Sequence, residues 1–217
     1  MSSNLKLRIY TSIILLLILF LMSVNNIILG YFLIIIGVIS LLEFFNLNKI
    51  IFKNNILRKT FLNFFFTIYI FSFCSLVLIF SFFYHLKIFI FVILITCIAS
   101  DIGGFIFGKF FKGPKLTKIS PNKTITGAFG SIIFSVFFLT IMINSLIHNF
   151  DPSILLVGVL TSLSCQLGDL FVSLLKRKSF LKDTGSFLPG HGGFLDRVDG
   201  ILLGLPVGFF TLLIFIK

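Results

Sequence analysis

Apolar residues along this chain come in long runs rather than at alternating or heptad spacing. Seven runs, at about 9–24, 27–46, 61–83, 88–106, 126–147, 153–175 and 200–216, reach or nearly reach bilayer length, which takes roughly 17–25 helical residues. Only Asn25 and Asn26 separate the first pair, which reads as a tight hairpin of short spans. Asp101, Gly103 and Gly104 interrupt the fourth run and make it the weakest. The pattern predicts seven spans, with six or eight as the neighbouring counts. The expected fold is an all-α integral membrane protein, a polytopic bundle of about seven transmembrane helices. It forms a single membrane domain over 1–217, with N-terminal spans in 1–99, the chemistry-bearing segments in 100–200 and a last span in 201–217.

Composition strengthens this reading. The chain is 58% apolar and 12% charged, with a mean hydropathy of +1.15, whereas soluble domains are about 45–50% apolar and about 25% charged. A soluble globule, a disordered chain and a disulfide-stapled secreted module are thereby excluded. Eighteen Lys and Arg against seven Asp and Glu give a net charge of +11. In a soluble protein that excess would point to nucleic acid. Here 16 of the 18 fall in alternate inter-span segments, 1–8, 47–60, 107–125 and 176–199, so the positive-inside rule accounts for them. The expectation is a cytoplasmic N-terminus, an external C-terminus and no nucleic-acid partner.

Lys6 and Arg8 precede an apolar run, but no small-x-small site follows and a second span begins at once, so this is not the pattern of a cleaved signal. No internal repeat supports an inverted-repeat transporter. Cys74, Cys97 and Cys165 lie inside apolar stretches at no metal-ligand spacing and read as small buried hydrophobes. His85 and His148 sit at the outer ends of spans.

Acidic residues are few enough to read singly. Glu43, near the inner end of the second span, and Asp151, in an Asp-Pro turn, read as structural or solvated. The other five, Asp101, Asp169, Asp183, Asp196 and Asp199, belong to the cytoplasmic half. Asp169 follows an uncharged 15-residue stretch and precedes Lys176 by seven residues, about 10 Å of helix. An unpaired carboxylate at that depth costs about 2.5–3.5 kcal/mol or more, which marks it as a site. Asp169, Ser173, Lys176 and Arg177 share one helical face.

Beyond that face, Lys182 and Asp183 lead into a Gly/Pro-rich loop, from Gly185 to Gly193, that cannot stay helical and allows close approach to phosphate. His191 lies in that loop, available to donate to phosphate or to stabilise the turn. Asp196, Arg197 and Asp199 then open the last span, with carboxylates at i, i+3 that also suit ordinary helix capping. Together with Asp169 they supply an all-oxygen set suited to Mg²⁺. A second loop joins Asp101, Gly103 and Gly104 to Lys109 and to Ser120-Pro121-Asn122-Lys123-Thr124. Small residues with spaced lysines suit a polyphosphate, although this is no Walker loop. Lys112 and Lys115 also suit anionic head groups.

Ser173 through Asp199 resembles the signature of phosphatidate cytidylyltransferases, the CDP-diacylglycerol synthases. The match runs through Ser173, Lys176, Arg177, Lys182, Asp183, Gly185, Leu188, Pro189, His191, Gly192, Gly193, Asp196, Arg197 and Asp199. Ser100–Gly104 and Ser120–Thr124 resemble the family's upstream motifs. Ile125-Thr126-Gly127 stand where members often carry an acidic residue, and the chain is short for the family, as though one or more N-terminal spans were missing.

The resemblance implies CTP + phosphatidate → CDP-diacylglycerol + pyrophosphate with Mg²⁺, and room for a second cation. It implies a bacterial-type inner (plasma) membrane location and a homodimer. Asp169, Asp196 and Asp199 would ligate metal. Lys176, Arg177, Lys182 and Arg197 would bind phosphates, with Asp183 and His191 completing the catalytic set. Asp101, Lys109, Ser120, Asn122, Lys123, Thr124 and Ser173 would hold the nucleotide. The rival readings are a CTP-dependent lipid-alcohol kinase and, further off, a cation-coupled transporter.

Overall fold

The computed structural model describes residues 3–117, 119–121, 123–148, 151–187 and 192–215, the side chains before Tyr10 and those of 11 and 12 excepted. Seven helices follow in order: α1 (Ser3–Val24), α2 (Asn26–Ile51), α3 (Ile56–Ser81), α4 (Tyr84–Phe111), α5 (Ile125–Ile147), α6 (Ser153–Lys178) and α7 (Leu195–Phe215). The helices α2 to α7 are long and apolar enough to cross a membrane, and Ile13–Val24 is the described apolar stretch of α1. Among the described residues there is no strand, and Lys115 and Thr124 form an isolated antiparallel bridge. The chain is an all-α polytopic membrane bundle.

Polar residues that punctuate the apolar runs act as helix caps. Asn25 Oδ1 accepts from Ile27 N at 2.8 Å, and Asn55 Oδ1 accepts from Arg58 N at 3.1 Å. Thr124 Oγ1 accepts from Gly127 N at 3.1 Å, and Asp151 Oδ1 from Ser153 N at 2.9 Å. Each satisfies an orphan N–H of a first turn, an effect of about 1 kcal/mol.

Every expected span falls on a helix, yet the helices outrun the apolar runs. The segment 47–60, expected as a loop, narrows to a turn at 52–55, and α6 carries Lys176, Arg177 and Lys178 in its last turn. Hydrophobicity marks where lipid lies, whereas Lys49, Arg58, Arg177 and Lys178 near the ends continue the helix and stay exposed. The weakest run proves continuous to Phe111. Its glycines are a contact face: a Cβ on Gly103 would lie 2.5 Å from Gly130 O and 2.6 Å from Phe134 Cβ, and one on Gly104 would lie 2.5 Å from Ser131 Oγ. Here α4 and α5 approach too closely for any side chain.

The chain divides into two compact units, 1–87 with 175–198, and 88–174 with 199–217. In the first, α2 packs on α1 and α3, burying Leu29, Leu33, Phe44, Leu47, Ile70 and Phe73. In the second, a polar seam runs through the apolar core: Ser100 Oγ meets Ser162 Oγ at 2.8 Å, and Ser135 Oγ donates to Gly158 O at 2.8 Å. These bonds keep small hydroxyls satisfied where water is absent.

Candidate active site

Three carboxylates from three helices converge in the second unit. Asp101 lies on α4, Asp169 on α6 and Asp199 on α7. The Asp199 and Asp169 side chains are within hydrogen-bonding reach of each other, and Asp101 interacts electrostatically with both. Gly200 N donates to Asp199 Oδ1 at 2.9 Å. A Cβ on Gly168 would collide with the Asp199 backbone carbonyl, so the absence of a side chain there lets α7 bring Asp199 beside Asp169.

The 112–124 loop supplies the counter-charge. Leu116 N donates to Lys123 O at 2.8 Å, Ile125 N to Pro114 O at 2.9 Å and Lys123 N to Ser120 O at 3.0 Å. The turn so closed delivers Lys123 Nζ to Asp169 Oδ2 at 2.9 Å, with both side chains about a quarter exposed. A cavity of about 310 Å³ opens at this point, its polar wall formed by Asp101, Ser120, Lys123, Thr124, Gln166 and Asp169. That volume lies at the lower end of small-ligand pockets. Gln166 is fixed by donating to Ala128 O at 3.2 Å and Ser162 Oγ at 3.3 Å.

A second polar set belongs to the first unit and carries the Gly-rich segment. Asp196, in the first turn of α7, accepts from Lys176 Nζ at 2.5 Å and Thr184 N at 2.8 Å. Thr184 Oγ1 donates to Glu43 Oε2 at 2.6 Å, and Asp196 Oδ2 lies 3.1 Å from the same hydroxyl. Glu43 is 1% exposed. It also accepts from Phe194 N at 2.9 Å and Leu195 N at 2.8 Å, the amides that open α7. Gly192 has φ +85°, in the left-handed region, and a Cβ there would lie 3.2 Å from Asp183 Cγ, so glycine meets two demands at once.

Among the residues singled out from sequence, Asp101, Ser120, Lys123, Thr124 and Asp169 share one cavity, with Asp199 against Asp169. Lys176 and Asp196 form a separate pair. Thr124 serves as the α5 cap, and Lys109 Nζ lies 5.7 Å from the Phe105 ring centroid. Ser173 is half-buried on α6, while Arg177, Lys182, Asp183 and Arg197 are exposed. Asn122 and His191 lie outside the described residues, as do Lys118 and the signature's Leu188 and Pro189. Glu43, expected to be structural or solvated, proves structural; its partners, Thr184 and the amides of Phe194 and Leu195, are what sequence reasoning missed.

The donors present suit a hard divalent cation in one respect. Among the described residues, no group of three or more His, Cys, Asp or Glu stands at metal-holding spacing. Mg²⁺ commonly takes only one or two carboxylates and completes its shell with water and substrate phosphates, and the adjacent Asp169 and Asp199 offer that pair.

A Helicobacter pylori protein named phosphatidate cytidylyltransferase is 40% identical over 126 residues, 58% of this chain and 47% of that relative. Proteins of the same name from Mycobacterium leprae and Rickettsia felis are each 40% identical, over 115 and 131 residues. Those matches take in 52% and 55% of this chain, and 36% and 57% of the relatives, so the chain spans about half the length of the relatives it matches. The model of the cytidylyltransferase family matches residues 2–215, and with nearly its whole length covered, this chain belongs to that family.

Proposed function

We propose that the protein transfers the CMP moiety of CTP to phosphatidate, yielding CDP-diacylglycerol and pyrophosphate. The observation that carries the reading is the convergence of Asp101, Asp169 and Lys123 at one polar cavity, with Asp199 beside Asp169. The names of the relatives support it.

In this reaction a phosphate oxygen of the lipid attacks the α-phosphorus of CTP. The bond from that phosphorus to the bridging oxygen breaks, and its electron pair leaves with pyrophosphate. The nucleophile is already an anion, so no strong base is required. The obstacle is the meeting of two anions, which calls for fixed positive charge. Lys123 lies at the cavity, where its ammonium, paired with Asp169, is placed to meet a phosphate oxygen. Lys176 is held in the same manner by Asp196. Asp169 and Asp199 are the residues that would hold Mg²⁺. A bound Mg²⁺ supplies charge neutralisation for the phosphates and the leaving group. Gln166 and Ser131 give the cavity neutral hydrogen-bonding groups for orienting a nucleotide.

Alternation of basic segments supports a cytoplasmic N-terminus and a site open to cytosolic CTP at the inner leaflet of a bacterial inner membrane. The family also favours a homodimer.

The test uses CTP labelled at the α-phosphate, with phosphatidate and Mg²⁺ in mixed micelles. Label entering the lipid with release of pyrophosphate is the expected result. Asp169→Asn and Lys123→Met should each lower the rate about 100-fold or more while remaining folded, the scale of losing a fixed electrostatic contact to the reacting phosphate. Label left in CDP, with the γ-phosphate passed to a lipid alcohol, would overturn the reading in favour of a kinase.

A further inference from the structure

The end of α6 carries an anomaly that the proposed reaction does not use. Leu181 N donates to Lys176 O at 3.0 Å and Phe180 N to Arg177 O at 3.2 Å. These are the 6→1 and 5→2 bonds of a Schellman motif, which places its C′ residue in the left-handed region. Glycine is the usual residue at C′, because a Cβ is disfavoured there. This chain places Phe180 at that position with φ 59°, and its side chain is 94% exposed. The aromatic ring therefore bears a backbone cost and recovers none of it by packing within the chain.

Around the ring the surface has a definite chemistry. Leu181 is 38% exposed and Phe187 52%, while the Lys178 and Lys182 ammonium groups are exposed on either side of Phe180 in sequence. Asp183 is the one exposed acid in the segment 177–187. An aromatic tip flanked by exposed ammonium groups matches the boundary of an anionic bilayer, where apolar groups enter the acyl edge and cations meet lipid phosphates. The motif sits at the end of a helix apolar enough to span a membrane, so such a boundary lies near it.

We infer that the end of α6 and the turn that follows it, 178–182, form a membrane-interface anchor: Phe180 and Leu181 insert at the acyl–headgroup boundary while Lys178 and Lys182 engage anionic lipid phosphates. This fixes the depth of the segment that carries Asp183, Thr184 and Asp196. It does not depend on which reaction the site performs.

The chain contains no Trp, so Phe180→Trp creates a single fluorescent reporter in the full-length protein. The variant is reconstituted in phosphatidylcholine–phosphatidylglycerol vesicles, with or without bromine at shallow acyl positions. Blue-shifted emission, severalfold quenching by the brominated lipid and protection from aqueous acrylamide are expected. In pure phosphatidylcholine the bromine quenching should weaken, and Lys178→Ala with Lys182→Ala should abolish that difference between the two lipid mixtures. Leu181→Trp serves as a second reporter if Phe180→Trp does not fold. Red emission quenched by acrylamide and indifferent to bromine would overturn the anchor and leave a solvated loop. Protection from both quenchers would overturn it as well, in favour of a protein contact such as a second copy of the chain.

Discussion

Glu43 offers the sharpest test of how the signature segment is held. Its carboxylate accepts from Phe194 N, Leu195 N and Thr184 Oγ1 at 2.9, 2.8 and 2.6 Å and is almost fully enclosed. Glu43→Ala leaves the two amides without acceptors in a closed space. Each buried orphan costs about 1–3 kcal/mol, so the pair costs about 2–6 kcal/mol before the void is counted. The Thr184 hydroxyl loses less, because it can turn to Asp196 Oδ2 at 3.1 Å. Glu43→Gln keeps the volume and one acceptor oxygen. Whichever way its amide is turned, the NH₂ faces one of the two backbone donors, so about one bond is lost, roughly 1–3 kcal/mol.

For a chain of this size 1 kcal/mol corresponds to roughly 2–4 °C in melting midpoint. Glu43→Gln should therefore melt several degrees below wild type, and Glu43→Ala well below Glu43→Gln. A thiol-reactive fluorogenic dye in detergent reads this directly, because Cys97 and Cys165 are buried and become reactive only on unfolding. Equal midpoints for Glu43→Ala and wild type, or a Gln variant weaker than the Ala variant, would refute the reasoning. Glu43→Asp, one methylene short, should fall between wild type and Glu43→Ala.

Three further outcomes are expected. Gly168→Ala forces a Cβ onto the Asp199 carbonyl and to 3.2 Å from Gly200 Cα, an overpacking cost of about 1–3 kcal/mol or more; Gly30→Ala, with Leu78 Cδ1 at 3.6 Å, should melt near wild type in the same dye assay. Millimolar Mg²⁺ should raise the wild-type midpoint and a chelator reverse it by mass action, with the shift enlarged in Lys123→Met and lost in Asp169→Asn. The Asp151 carboxyl lies below the usual carboxylate range because Ser153 hydrogen-bonds its charged form, so its stabilisation is full above the ordinary value of about 3.9 and fades as pH falls through the lowered folded value; the midpoint difference between wild type and Asp151→Asn should shrink on acidification toward about pH 3.

Long apolar runs made the helices legible, because bilayer length and helical backbone satisfaction leave few alternatives. Helix ends were less legible. The apolar run stops at 175, yet Lys176 and Arg177 continue the helical face of Asp169 and occupy the last turn of α6, where basic side chains also suit the helix dipole. Asp169, which lines the cavity, was legible as a candidate because an acid deep in an apolar stretch has few structural uses. Its partnership with Lys123, 46 residues away, was not, since nothing local encodes which lysine the loop delivers. The partners of Glu43 were hidden for a related reason. They are 141 to 152 residues distant, and two of the three are backbone amides that any residue but proline would present.

The two polar sets differ in how completely their charge is met. Asp196 has an ammonium and a backbone amide on its two oxygens, and Thr184, which supplies that amide, is itself tied to Glu43. Its environment is balanced at rest. By contrast Asp101, Asp169 and Asp199 bring three carboxyls together against Lys123, and like charges at such spacing raise one another's energy unless protons, cations or a lysine intervene. The unmet demand therefore lies at the Asp169 cavity. A cation there relieves repulsion already present, whereas a cation at Asp196 must first displace Lys176. On this argument Lys176→Met should free Asp196 and strengthen Mg²⁺ binding while weakening phosphate binding, and Lys123→Met should do the same at Asp169. In the proposed reaction, transfer would then fall in both variants even where metal affinity rises, because a cation needed for the incoming phosphate would be gone.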